Sequence, residues 1–156
     1  MTNQHEQVVK TLNQLIKLCE DGNKGYKKAA EQIENDEIRT ILYRLSQQRA
    51  LFGAELKNEV RNLGGVTDDA GADEADGSLL GNLHRKWIDI KEKLSSKEYE
   101  AVLEECRRGD KVAFEAYEES LKENLPEYVK EMIINQLHLI KGAYNQLQEF
   151  QEHPGS

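Results

Sequence analysis

Apolar residues recur every three or four positions through four stretches of the chain, the spacing of one face of an α-helix. In the first stretch, expected to be helical over about 5–34, the stripe is Leu12, Ile16, Cys19, Asn23, Tyr26, Ala30 and Ile33. In the second, about 37–63, it is Ile38, Leu42, Leu45, Arg49, Phe52 and Leu56. In the third, about 96–123, it is Leu103, Cys106, Asp110, Phe114, Tyr117 and Leu121. In the fourth, about 127–150, Ile133, Leu137, Ile140, Tyr144 and Leu147 face inward, with Lys141 at the edge. Three stripes are thus broken near their middle by a polar residue: Asn23, Arg49 and Asp110. Lys141 is a weaker fourth interruption.

Residues between these stretches read as punctuation. Asn35-Asp36 supplies a turn and an N-cap, and Gly64-Gly65 a stop. Ser95-Ser96-Lys97-Glu98 resembles a capping box, and Asn124-Leu125-Pro126 breaks the third helix before the fourth. Residues 65–78, GVTDDAGADEADGS, form a small, acidic loop that cannot bury itself. Leu80, Leu83, Trp87, Ile90 and Leu94 then mark a short amphipathic helix over about 79–94. Trp87 is read as its anchor in the core rather than as a binding platform. Residues 64–95 together form one long crossover within a single domain, 1–156, because either half alone is a hairpin with little core. The tail from His153 to Ser156 is expected to be loose and partly non-native.

The two halves are related. Cys19-Glu-Asp-Gly22-Asn23-Lys24 matches Cys106-Arg-Arg-Gly109-Asp110-Lys111, and Leu45, Arg49 and Phe52 match Leu137, Lys141 and Tyr144. A duplicated helical hairpin joined by a long connection predicts an all-α four-helix bundle with a single crossover. In such a bundle Asn23, Arg49, Asp110, Tyr117 and Lys141 are expected to gather as a polar cluster in the core.

Composition narrows the partners. Charged residues make up 32% of the chain and the net charge is −8, so nucleic acid and anionic membranes, which need a basic patch, are not expected. No run reaches the roughly 18 apolar residues of a membrane span. The first residues lack the basic start and apolar core of a signal peptide, which makes the cytoplasm the expected compartment. Cys19 and Cys106 show no metal-binding spacing and are read as reduced core residues. Their equivalent repeat positions leave open a redox pair.

Several stretches carry a family resemblance: Leu18-Cys-Glu-Asp-Gly-Asn-Lys-Gly-Tyr-Lys-Lys-Ala-Ala30, Gln48 to Leu56 with Gly64-Gly65, Gly77 to Trp87, and Glu105 to Tyr117. Over roughly residues 5–150 the chain resembles bacterial four-helix-bundle proteins of the ferritin-like superfamily carried as a domain of unknown function. The resemblance implies a fold and brings no established activity. Metal-binding members of that superfamily, such as rubrerythrins, place Glu on the first and third helices and Glu-x-x-His on the second and fourth. Aligned on this chain, those positions fall on Asn23, Asp110, Arg49-x-x-Phe52 and Lys141-x-x-Tyr144. One carboxylate remains and two cations stand where metal ions need anionic oxygen or imidazole.

The expected function is therefore a non-enzymatic bundle that has lost its metal centre, with no cofactor. It would act in a stress-related or accessory role through protein contacts, as a homo-oligomer, provisionally a dimer. Arg49 at a core position requires an anion, and Asp110 is the obvious one; the alternative is that Arg49 snorkels to the surface. The rival function is a di-iron or di-manganese oxidoreductase using displaced carboxylates, Glu20, Glu31, Glu55 and Glu105. A third reading is a small-molecule or lipid carrier opening beneath Trp87. His84, Arg85, Lys86 and Asp89 suggest an acid–base or anion site only weakly and are read as the solvated face of an amphipathic helix.

Overall fold

The structure, a computed structural model, describes residues 2–67 and 99–152. Among them are four α-helices and no strand: α1 (Thr2–Gln32), α2 (Asp36–Asn62), α3 (Tyr99–Ser120) and α4 (Glu127–Glu152). The crossover helix expected at 79–94, with Trp87 and the His84 group, lies outside the described residues. So do most of the acidic loop, the capping box at 95–98 and the tail.

Local chemistry sets the helix ends. The Asn35 side chain accepts the Ile38 N–H at 3.0 Å and caps α2, whose first turn holds Asp36 and Glu37. Arg39 donates through Nε and Nη2 to the Ile33 carbonyl just past α1, at 2.9 and 2.6 Å, so α2 also closes the end of its neighbour. Gly64 ends α2 with φ +78°; the Gly65 N–H returns to the Val60 carbonyl and the Gly64 N–H to that of Arg61, both at 2.9 Å. α3 stops at Ser120, three residues before its expected end at 123. Leu121, Lys122 and Glu123 there donate to carbonyls three residues back, a tightened turn that leaves the α-helix.

Side-chain pairs give the helix directions. Asn23 meets Ser46, Glu20 meets Lys57 and Gly65 abuts Val9, so α1 and α2 are antiparallel. Tyr117 meets Gln136 and Arg107 meets Gln151, so α3 and α4 are antiparallel too. The hairpins join through α1 and α3, where Tyr26 meets Asp110, Cys19 meets Tyr117 and Gln7 meets Glu123, again antiparallel. It follows that α2 and α3 run parallel, with the end of α2 and the start of α3 at opposite ends of the bundle. Contact between α2 and α4 is sparser and includes Gln136 reaching the Phe52 carbonyl and Glu55.

Leu12, Leu42, Leu56, Ile133 and Leu147 are fully buried along the axis. Each contributes roughly 1.5–3 kcal/mol by leaving water. Phe114, Leu121 and Tyr144, read as inward, are only half-buried. α3 instead turns Ala113 and Ala116 inward, and Phe114 stacks edge-on against Tyr144 at 5.4 Å on the flank. No described helix is long and apolar enough to cross a membrane.

Candidate functional site: a buried ion pair at mid-bundle

Glycine at position 22 leaves room for the centre. A Cβ placed there would lie 3.2 Å from Cγ of Arg49, so the arginine stem crosses α1 through the space a side chain would fill. Beyond it, Arg49 Nη1 donates to Asp110 Oδ1 at 2.7 Å, with the two side chains 2% and 0% exposed. The Tyr26 hydroxyl donates to the other carboxylate oxygen of Asp110. The Arg49 guanidinium also lies 5.2 Å from the centroid of the Tyr26 ring, so the phenol serves cation and anion together. Arg49 Nε reaches Gln48 Oε1 at 3.2 Å, while Nη2 is buried without an acceptor among the described residues.

The fields reinforce this pairing. Burial works against the Arg49 charge, but Asp110 and Tyr26 more than offset it and raise its pKa, so the guanidinium stays ionised. Burial, and then the Asp110 carboxylate, hold the Tyr26 hydroxyl well above its ordinary range, so it remains a donor. Removing water strengthens the ion pair but leaves either partner costly alone.

The five residues read as one polar cluster separate into four arrangements. Arg49 and Asp110 meet directly. Asn23 is half-buried and turned to α2, where Nδ2 donates to the Ser46 carbonyl at 2.8 Å and Ser46 Oγ donates back to the Asn23 carbonyl at 2.8 Å. Tyr117 sits about two turns along α3 and donates to Gln136 Oε1 at 2.7 Å, with Cys19 Sγ at 3.1 Å. Lys141 is a correction: it is exposed, paired with Glu118 at 2.7 Å, and 5.5 Å from the Phe114 ring centroid. Its position at the stripe's edge lets the flexible stem carry the ammonium to water. Tyr26, Ser46, Gln136 and Gly22 carry much of the polar geometry but were not read as polar-site residues. Tyr26 looked like plain core, and the repeat of Gly22 at Gly109 was the only sign of a close approach.

The two thiols do not form a pair. Cys19 lies opposite Tyr117, which is eleven residues along α3 from Cys106. That is roughly 16 Å of helix, and a disulfide needs Cα atoms within about 7 Å. Antiparallel packing sends equivalent repeat positions to opposite sides of the repeat axis, which undoes the expected juxtaposition. Burial pushes the Cys19 thiol up to about 11, against the pull of Tyr117 and Arg49, and burial followed by Asp110 pushes Cys106 up as well. Both are protonated at neutral pH and weak nucleophiles.

The displaced carboxylates are dispersed. Glu20 pairs with Lys57 at 3.1 Å, Glu105 is buried beside Arg108 at 2.6 Å, Glu55 accepts from Gln136 at 3.0 Å, and Glu31 is exposed. Among the described residues no three His, Cys, Asp or Glu converge as metal ligands. Asp110 is buried at the central level, and Arg49 and Tyr26 occupy both its oxygens. These residues do not fit an iron or manganese centre, which needs several anionic oxygens or imidazoles. A separate open groove of about 260 Å³ lies between α1 and α3, with Leu15 and Leu18 beneath a rim of Lys10, Gln14 and Glu119.

No curated protein matches the chain. The family model described as Domain of unknown function (DUF2383) matches residues 7–123, the larger part of the chain and the span holding Gly22, Arg49 and Asp110; the chain belongs to that family.

Proposed function

We propose that this family member is a ferritin-like bundle whose central metal site has given way to an ion pair. It works as a non-enzymatic accessory protein, in a stress-related setting in the cytoplasm, through contacts with other protein surfaces and with its own kind. One observation carries the reading: a fully buried guanidinium binds the fully buried Asp110 carboxylate at 2.7 Å. A cation there repels a metal ion and occupies a carboxylate that would otherwise bind one. The parallel course of α2 and α3, with their connected ends at opposite ends of the bundle, supports the single-crossover topology. Two thiols held protonated and a closed polar centre offer no activated nucleophile and no general base within reach of solvent.

Metal content tests this reading. Protein purified without chelator and incubated with Fe(II) or Mn(II) should hold well under one equivalent per chain, unchanged by Glu20→Gln or Glu105→Gln. Two equivalents, lost in either variant, would replace it with a di-metal oxidoreductase.

A further inference from the structure

α4 carries two stripes. One is buried and faces the core through Val129, Ile133, Ile140 and Leu147. The second is Tyr128, Met132, Asn135, Leu139, Gly142 and Gln146, spaced by alternating steps of four and three residues. That is the repeat of a helix seam that meets another helix. Yet Tyr128 is 54% exposed and Leu139 48% exposed, Asn135, Gly142 and Gln146 are exposed, and only Met132 leans on the core.

Gly142 points the same way. It sits mid-helix, where glycine is unfavourable relative to alanine. Its φ is not positive, and a Cβ built on it would meet nothing within 4 Å. Nothing within the described chain requires glycine there, whereas a close approach by an outside helix would.

The stripe's own chemistry selects the occupant. None of its six residues is charged, and from Met132 to Gln148 the only charged residue on α4 is Lys141, which faces α3. A chain of net charge −8 meeting its own copy must keep like charges out of the contact. The stripe is also complementary to itself when reversed. About a midpoint near Leu137, Tyr128 falls opposite Gln146, Met132 opposite Gly142, and Asn135 opposite Leu139. Met132 then meets the space left by Gly142, and Tyr128 the flexible Gln146, each pair occurring twice as a two-fold interface requires.

We propose that α4 packs antiparallel against α4 of a second copy along this stripe, with Met132 of each copy seated over Gly142 of the other. This names the surface for the self-association in the preceding reading and rests on it. Sedimentation equilibrium of the full chain over a concentration series is the test, with melting temperature measured alongside. The expected result is a species of twice 17.9 kDa for the wild type. Leu139→Glu should shift it to the monomer, and Gly142→Ala should raise its dissociation constant at least tenfold. The proposal is overturned by a monomeric wild type at all concentrations. It is equally overturned by a dimer that both variants leave intact, with Gly142→Ala only raising the melting temperature. A monomeric wild type would end self-association itself, a dimer that both variants leave intact would end only this surface, and neither outcome touches the metal assay.

Discussion

Arg49 and Asp110 belong to different hairpins, and their 2.7 Å contact joins the second helix of one to the first helix of the other. The pair is a fully buried polar link between the two halves of the molecule, and it specifies which residues must lie at the same level.

Removing one partner should be worse than removing both. Arg49→Met leaves the Asp110 carboxylate buried without its cation, and Asp110→Leu leaves the guanidinium without its anion. Either single change should cost about 3–5 kcal/mol. The double variant should recover most of that loss. Urea titration of the three proteins measures it, and a double variant as unstable as the singles would contradict the account.

Gly22→Ala should change sign with its background. Alanine in place of a helix glycine ordinarily gains up to about 1 kcal/mol. Here its Cβ would press on Cγ of Arg49 at 3.2 Å, and Asp110 pins that stem. In the wild type the change should destabilise by about 1–2 kcal/mol. With Arg49→Ala the obstructing Cγ is gone, and the same change should become stabilising. Thermal melts of the four proteins show the reversal or its absence.

Lys141 and Arg49 are repeat equivalents with opposite fates. Lys141 is half exposed and bound to Glu118 on the surface. Lys141→Met should alter stability by no more than about 0.5 kcal/mol. A loss comparable to that of Arg49→Met would mean that Lys141 lies in the core.

Alkaline pH should unfold the protein early. Cys19 ionises near pH 9 when unfolded and near 11 when folded, because burial opposes the thiolate. The folded state therefore holds the proton longer. Stability is complete below pH 9 and falls as pH rises from 9 to 11, by about 3 kcal/mol from this thiol. Tyr26 and Tyr117, also raised by burial, steepen the decline at higher pH. Cys106, also raised by burial, adds a fall over the same range, so Cys19→Ala should roughly halve the slope between pH 9 and 11. The share of tyrosinate absorbance that belongs to the buried Tyr26 and Tyr117 should appear only with loss of helical signal.

Helices were legible because long stretches keep one period: the expected span at about 127–150 is found as Glu127–Glu152. Arg49 and Asp110 stood out because charge on an apolar stripe has few explanations. Less legible were groups whose role depends on rotation about the helix axis. Lys141 and Gln136 are neighbours of Leu137 and Ile140 in the stripe, yet Gln136 turns in and Lys141 turns out. Five residues apart, the two lie about 140° from each other around the helix, on opposite edges of the stripe, and only the neighbouring helices decide which edge is covered. The supposed thiol pair failed for a related reason, since repeat equivalence does not specify strand sense.

Sequence separation gives the ion pair a kinetic meaning. α1 and α2 are joined by a short turn and can associate quickly, whereas Arg49 and Asp110 are 61 residues apart. A newly formed first hairpin holds a charged arginine with no anion and cannot expel water from around it. Contact across the bundle is then the step that dries the core. The pair should consequently be absent from the transition state. Its loss would speed unfolding and leave the folding rate nearly unchanged.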